Sequence, residues 1–187
     1  MAELLRTLPL ADFAPLTGRP VRLVAAAPAA RFVLRARGPA AAAAAPALGT
    51  PLPAIACRAA VAGELAALWL GPDEWLLLAP AAAGAALHAR LVAALGGMAH
   101  ALTDIGHRQG AMLLSGPAAT ATLNAGCPLD FDPEAFPVGM CTRTVLARAE
   151  VVLWRTGAEA FRIEAGRSFL PYVWRFLEEA ATASAAA

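Results

Sequence analysis

Residues 104–144 restrict the possible folds of this chain more than any other segment. The segment contains a short apolar run at residues 112–114, between two glycines, which is long enough for a buried strand and too short for a helix. A helix is predicted next, because Pro117 suits a first helical position and Gly126 suits a left-handed helix end. A strand followed closely by a helix is typical of folds that mix α and β structure.

The residues after that helix, 127–143, predict an ordered loop rather than another regular element. Prolines at positions 128, 133 and 137 interrupt them, and long loops within compact domains are usually either functional or disordered. Phe131, Phe136 and Met140 argue against disorder, because a mobile polar linker lacks such side chains. We therefore expect this loop to pack against another part of the protein.

The rest of the sequence predicts further strands and helices. Residues 71–74 predict a hairpin turn with its acidic pair facing water, and residues 38–53, rich in alanine and proline, predict a low-complexity surface connection. Other predicted strands cover residues 19–27, 31–37, 98–104, 142–148, 151–154 and 161–164, and the other predicted helices cover residues 82–95 and 168–180.

This order of elements predicts an α+β fold of split β-α-β (ferredoxin-like) units, with mostly antiparallel sheets. Residues 1–60 are interpreted as an N-terminal extension with early strands and the alanine- and proline-rich connection. Residues 61–187 are interpreted as the main α+β domain, one continuous globular unit with two small lobes.

The high hydrophobic content does not by itself predict a membrane protein. The chain is 59% hydrophobic with a mean hydropathy of +0.57, but alanine inflates both values. No run reaches the roughly 20 apolar residues that span a bilayer, and the longest candidate, residues 76–87, is broken by Pro80 and Gly84. The net charge of +1 is dispersed along the chain, so we expect neither a nucleic acid nor a membrane as partner.

The N-terminus and the cysteines lead us to expect a cytoplasmic location. Residues 1–13 carry Glu3 and Arg6 and lack the apolar core of a signal peptide. The three cysteines, Cys57, Cys127 and Cys141, are an odd number, which favours free thiols in a reducing compartment.

Several residues could carry chemistry, and each also has a structural interpretation. Asp104 could orient His107 as a general base beside Arg108, or the three could form a turn or an interface. Cys127 and Cys141 could be metal ligands, although two cysteines fall short of the usual ligand number and buried or interfacial thiols are the alternative.

Two arginines and four tryptophans have similar alternatives. Arg143 and Arg167 could bind a substrate carboxylate or make salt bridges. The tryptophans, such as Trp154, stand in apolar patterns typical of a core or an interface. Since the sequence also lacks a dinucleotide-binding glycine motif, a phosphate-binding loop and a zinc-protease motif, its residues alone indicate a non-catalytic module.

Three blocks of sequence resemble one known family. They read TDIGHRQGAMLLSGPAATATLNAGCPLDFDPEAFPVGMCTRTVLARAEVVLWR from residue 103, FRIEAGRSFLPYVWRFLEE from residue 161, and LWLGPDEWLLLAP from residue 68. In this order the blocks resemble the gamma subunit of heterotetrameric sarcosine oxidase. The resemblance covers about residues 65–180 and implies an aminomethyltransferase-like fold, related to the folate-binding glycine-cleavage T-protein.

The resemblance also implies a role. The family's complex oxidatively demethylates sarcosine to glycine, passes the one-carbon unit to tetrahydrofolate and produces hydrogen peroxide. FAD, FMN, NAD, tetrahydrofolate and zinc are expected in the alpha, beta and delta subunits, and this chain is expected to contact mainly the large folate-binding alpha subunit. No catalytic, cofactor-binding or metal-binding residue is expected here. The interface or structural candidates are Asp104, His107, Arg108, Cys127, Asp130, Phe136, Cys141, Arg143, Trp154 and Arg167.

Two alternatives remain open from the sequence. The chain could be a stand-alone folate-binding module or aminomethyltransferase, although its length falls short of a complete multi-domain transferase. It could also be the equivalent subunit of a related complex that demethylates or dehydrogenates another N-methyl amino acid.

Overall fold

Ten strands and four helices make up the computed structural model, which describes residues 9–18 and 20–184. The strands are β1 (Arg22–Ala25), β2 (Ala29–Ala36), β3 (Ala59–Ala62), β4 (Leu65–Gly71), β5 (Glu74–Pro80), β6 (His100–Asp104), β7 (Gln109–Ser115), β8 (Cys141–Leu146), β9 (Ala149–Gly157) and β10 (Ala160–Gly166). The helices are α1 (Pro39–Leu48), α2 (Gly84–Leu95), α3 (Ala119–Asn124) and α4 (Leu170–Ser184).

The strands form two five-stranded sheets in which neighbouring strands are antiparallel. The first sheet has the order β3-β4-β5-β2-β6 and the second has the order β1-β7-β10-β9-β8. The chain repeats one order of elements twice: a strand, a helix, three strands and a helix. The first copy is β2-α1-β3-β4-β5-α2 and contributes to the first sheet, and the second copy is β7-α3-β8-β9-β10-α4 and contributes to the second sheet. The edge strand β1 precedes the first run in the chain but pairs with β7 in the second sheet, so the two halves are interlocked. The predicted α+β class with split β-α-β units is confirmed.

The protein has four layers: a pair of helices, the first sheet, the second sheet and another pair of helices. On the first sheet, residues such as Phe32, Leu34 and Leu77 point outward and are covered by α1 and α2. On the second sheet, Ile163 and its outward neighbours are covered by α3 and α4. The inner faces of the sheets share a smaller apolar cluster, which includes Leu76. Because a strand alternates its side chains with a period of two, the residues between the outward ones face the opposite sheet.

The edges of the two sheets are joined by backbone hydrogen bonds between residues 57–59 and residues 139–141, which we call the seam. Arg58 and Met140 form an antiparallel bridge there. Ala59 N donates to Gly139 O at 2.9 Å, and Cys141 N donates to Cys57 O at 3.0 Å. The seam therefore connects the start of β3 in the first sheet to the start of β8 in the second.

Most predicted elements occur, with shifted ends. The hairpin around residues 71–74 is confirmed as β4 and β5, and its acidic pair does not face open water, because Asp73 and Glu74 have only 15% and 16% of their side chains exposed. The predicted helix at residues 117–126 is the shorter α3. Gly126 is not left-handed; a Cβ atom there would lie 2.4 Å from the Phe176 ring, so close packing explains this glycine.

The prediction of a surface connection over residues 38–53 was wrong, because most of it is α1. Ala40, Ala44 and Leu48 lie on one side of this helix and are buried against the first sheet. Alanine has the strongest intrinsic helix preference, and Pro39 occupies a first-turn position that tolerates proline. Strands from before residue 60 belong to both sheets, while the division into regions at that residue stays a prediction.

Gly116 allows the chain to pass close to the backbone before β1. Its φ of +116° is in a region that side chains disfavour, and an added Cβ atom would lie 2.4 Å from Pro20 O.

We expect Gly116→Ala to lower the free energy of unfolding by about 2–4 kcal/mol. Gly139→Ala is the matched control, because Gly139 also has a positive φ, of +85°, but has open space around its Cα; we expect a loss of only about 1 kcal/mol. Urea denaturation of both variants tests this, and equal losses would contradict it.

Candidate functional site

A cleft of about 400 Å³ lies between the inner faces of the two sheets. Apolar side chains such as Val33, Leu70 and Leu76 form part of its wall. Charged and polar side chains from both sheets and from the residue before β7 also line it: Glu74, Thr103, Arg108, Gln109, Arg143, Glu150 and Glu164. Since this cleft gathers most of the inward-facing charges, it is the candidate functional site.

A buried ion pair crosses from one sheet to the other at the base of the cleft. Arg31 of β2 and Glu164 of β10 are 3% and 1% exposed. Arg31 Nε donates to Glu164 Oε2 at 2.6 Å, and Arg31 Nη2 donates to Oε1 at 3.4 Å. Arg31 Nη1 also donates to Ala29 O at 3.0 Å. A buried charge pair is tolerated only when its remaining donors and acceptors are satisfied, and these bonds meet that requirement.

Arg162 adds a second positive charge to the same carboxylate. Its Nε donates to Glu164 Oε1 at 2.8 Å, while its Nη2 lies 2.7 Å from that oxygen at an angle unsuited to a hydrogen bond. Glu164 is therefore held between two guanidinium groups, one from each sheet, and is already committed as an acceptor. Both of its carboxylate oxygens accept hydrogen bonds within the protein.

The mouth of the cleft contains a second ion pair between the sheets. Arg143 of β8 binds Glu74 of β5 through both of its terminal nitrogens, one of them at 3.3 Å. The hydrogen bonds that Arg143 donates to Glu74 raise the pKa of Arg143 above its ordinary value. This observation agrees with the salt-bridge interpretation of Arg143. Nearby at the turn, Arg37 and Arg35 lower the pKa of Asp73 through their hydrogen bonds.

Three polar side chains of the cleft are less committed. Arg108 and Glu150 are exposed, and neither makes an ion pair within contact distance in the part of the chain that the structure describes. Gln109 has a buried Oε1 without a hydrogen-bond partner among those residues. Beside the hydroxyl of Thr103, the cleft thus offers one exposed cation, one exposed anion and one amide acceptor.

The loop between α3 and β8 packs against the outer face of the second sheet, as the sequence predicted. Phe131 and Phe136 belong to the core on that face, and their rings meet edge to face at 5.5 Å. Arg155 of β9, 5% exposed, holds the loop. Its Nη1 donates to Phe136 O at 2.7 Å and Phe131 O at 3.1 Å, its Nη2 donates to Ala158 O at 2.6 Å, and its guanidinium lies over the Phe161 ring.

The ten candidates from the sequence do not converge on one site. Arg108 and Arg143 line the cleft, and Cys141 and Trp154 belong to the apolar cluster behind it. Asp104 and His107 line a separate groove of about 590 Å³, where Asp104 Oδ1 accepts a hydrogen bond from Gly106 N at 2.7 Å and stabilises a turn. Cys127, Asp130 and Phe136 lie in or beside the loop, and Arg167 N donates to Arg108 O at 2.8 Å.

Sequence reasoning missed Arg31, Arg155 and Glu164, which are the buried charges of the structure. One signal was present. In β10 and in β2, charged residues alternate with large apolar residues, which indicates an inner face that is not purely apolar. Whether such a face meets water or another sheet depends on contacts distant in sequence, so the pattern alone did not identify a buried ion pair.

We expect Glu164→Gln to lower the free energy of unfolding by about 3–5 kcal/mol, because it leaves two guanidinium groups without their buried anion. Glu74→Gln removes the carboxylate of the partly exposed pair at the cleft mouth, and we expect it to cost less than about 1 kcal/mol. Chemical denaturation of the two variants measures the difference. Equal losses would show that the buried pair does not hold the sheets together.

We expect Arg155→Lys to loosen the loop, because one ammonium group cannot reach the three carbonyl oxygens that the planar guanidinium binds. Hydrogen exchange at the backbone amides of residues 131–140 should then be faster, with little change in α2. Arg35→Lys, at an exposed pair, serves as the control and should leave the loop unchanged. Unaltered exchange in Arg155→Lys would contradict this role of Arg155.

Comparison with known proteins identifies relatives that share this sequence and this architecture. A model of the sarcosine oxidase gamma subunit family matches residues 35–183. The sarcosine oxidase subunit gamma of Arthrobacter sp is 42% identical over 142 residues, which are 75% of this chain and 69% of that protein. A chain of the heterotetrameric sarcosine oxidase from Corynebacterium sp. U-96 superimposes with a TM-score of 0.90 at 35% identity, over 97% of both chains.

A more distant structure shares the fold alone. The glycine cleavage system aminomethyltransferase T from Bartonella henselae superimposes with a TM-score of 0.64 at 17% identity, over 83% of this chain and 44% of that one. The predicted aminomethyltransferase-like fold is therefore confirmed.

In residues 9–18 and 20–184, no group of three or more His, Cys, Asp or Glu side chains is placed to hold a metal ion. Within the same residues, none of the helices has both the length and the apolar character needed to cross a bilayer.

Proposed function

Because the chain belongs to the sarcosine oxidase gamma subunit family, we propose that it is a structural and assembly subunit of a heterotetrameric, flavin-dependent sarcosine oxidase. The observation that carries the proposal is the superposition over 97% of both chains with a chain of the Corynebacterium complex. A match over the whole fold, including both sheets, supports the same position in a similar assembly.

The chemistry of the complex would take place in its other subunits. We propose that the complex oxidatively demethylates sarcosine to glycine, transfers the one-carbon unit to tetrahydrofolate and produces hydrogen peroxide. The alpha, beta and delta subunits would hold NAD, tetrahydrofolate, FAD, FMN and zinc. A non-catalytic role for this chain is supported by the charges of its cleft, since Glu164 and Glu74 are bound to arginines of the opposite sheet.

We place the contact with the large alpha subunit at one corner of the second sheet, formed by Arg108, Arg167, Phe169 and Tyr172, which we call the aromatic corner. Phe169 and Tyr172 are 49% and 40% exposed and are the two aromatic side chains among the exposed large hydrophobic residues of the described chain. Arg167 N donates to Arg108 O, which holds the two arginine backbones together. Aromatic and arginine side chains are enriched in protein interfaces and supply much of their binding energy.

The Phe169→Asp variant tests this contact. We expect it to prevent co-purification of a tagged chain with the other subunits, because it replaces an exposed aromatic ring of the proposed contact by a carboxylate. Val92→Asp is the matched control, since Val92 is 48% exposed and lies on α2, on the outer side of the first sheet. Pull-down from the native host, followed by mass spectrometry and a visible spectrum of the eluate, provides the measurement.

The result also separates the alternatives. Retention of the flavin-containing partners by Val92→Asp and their loss by Phe169→Asp would support the proposal. Retention by both variants would move the contact elsewhere on the chain. A wild-type chain that elutes alone, colourless and able to bind tetrahydrofolate would instead favour a stand-alone folate-binding module. If a flavin complex is recovered, assays with sarcosine and other N-methyl amino acids identify its substrate.

A further inference from the structure

Two of the three cysteines face each other across the seam. Arg58 and Met140 are bridge partners, so the antiparallel register places Cys57 opposite Cys141. The hydrogen bond from Cys141 N to Cys57 O, 3.0 Å long, confirms this register. Residues that exchange both hydrogen bonds of a regular antiparallel pair have Cα atoms about 5.5 Å apart, within the range of about 4.4–6.8 Å over which disulfides form. Cys57 and Cys141 make one of these two bonds.

The two thiols have different environments. Cys57 is partly exposed, whereas Cys141 is completely buried. Cys141 Sγ donates to Trp69 O at 3.7 Å, and burial, with a smaller contribution from Cys57, raises the pKa of Cys141 to about 12. An oxidant dissolved in water therefore reaches Cys57 first, while Cys141 is held as a neutral thiol beside it.

The backbone at Cys57 is also unusual. Its φ is +58°, in the left-handed region that residues other than glycine, asparagine and aspartate rarely adopt. Such a conformation is maintained only by surrounding contacts and is often associated with a functional position. Here the seam hydrogen bonds and the bridge beside Cys57 provide those contacts.

We propose that Cys57 and Cys141 form a reversible disulfide across the seam when the protein meets hydrogen peroxide. In the first step the Cys57 sulfur attacks one peroxide oxygen, the O–O bond breaks, and Cys57 becomes a sulfenic acid as water leaves. In the second step the Cys141 sulfur attacks the Cys57 sulfur, an S–S bond forms, and the hydroxyl group leaves as water with the Cys141 proton. Two thiols are oxidised and one peroxide is reduced.

The bond would covalently connect the edges of the two sheets. Cys57 lies two residues before β3 in the first sheet, and Cys141 begins β8 in the second. A cross-link between such distant parts of the sequence restricts the unfolded chain more than a short one does. Cys127 takes no part, because it belongs to the core on the outer face of the second sheet, where its sulfur lies 3.6 Å from Thr144 Oγ1.

Peptide mapping tests the proposal on the full chain as it is purified, alone or with other subunits, so the result does not depend on the proposed function. The protein is treated with dilute hydrogen peroxide, its remaining thiols are alkylated in acid, and it is digested with trypsin. We expect peptides 38–58 and 109–143 to be joined, with a combined mass lower by two hydrogen atoms. Fragment ions should place the bond at Cys141 rather than Cys127, and dithiothreitol should separate the peptides.

Two variants control for other thiol chemistry. Cys57→Ser should abolish the joined peptides, whereas Cys127→Ser should leave them unchanged. The proposal is overturned if peroxide converts Cys57 to a sulfinic or sulfonic acid without joining the peptides. It is also overturned if the joined peptides carry the bond at Cys127, or if they form only after the protein has been unfolded in urea.

Discussion

The fold depends on how two sheets with incompletely apolar inner faces are held together. Each sheet has its own helices and its own apolar core on the outside, but the shared cluster between the sheets is small. Arg31 and Glu164 complete the contact from opposite sheets, with both charges excluded from water. Separating the sheets would leave Arg31 without its carboxylate, while Glu164 would keep only Arg162 of its own strand, so the pair disfavours moving one sheet away from the other.

The sequence was most informative where a local pattern has one physical cause. The α+β class, the hairpin of β4 and β5 and the packed loop after α3 all followed from apolar periodicity, turn residues and buried aromatic rings. The sequence was least informative where the cause is distant. Arg155 holds that loop through carbonyl groups of residues 19 and 24 positions earlier, and Arg31 meets Glu164 across 133 positions. For α1 the usual signal was absent, because alanines rather than large side chains form its buried face.

The charges of the candidate site support the proposal that this chain has a structural rather than a catalytic role. Its carboxylates are placed between the sheets, as in a binding cleft, yet Glu164 and Glu74 neutralise arginines of the opposite sheet. Charges used in this way maintain the shape of the protein. In the proposed assembly role the contact surface is the aromatic corner, which lies beside the buried residues Leu170, Val173 and Trp174 of α4.

The central claim is that the cleft maintains structure and takes no part in catalysis. Glu150 and Gln109 test it most directly, because both line the cleft and neither belongs to the aromatic corner. The measurement is sarcosine turnover per bound flavin in the purified complex, with the wild-type chain and with a chain carrying Glu150→Ala and Gln109→Ala. The account predicts turnover within about twofold of wild type. A fall of about 100-fold in an intact complex, the size expected for loss of a general acid or base, would contradict it.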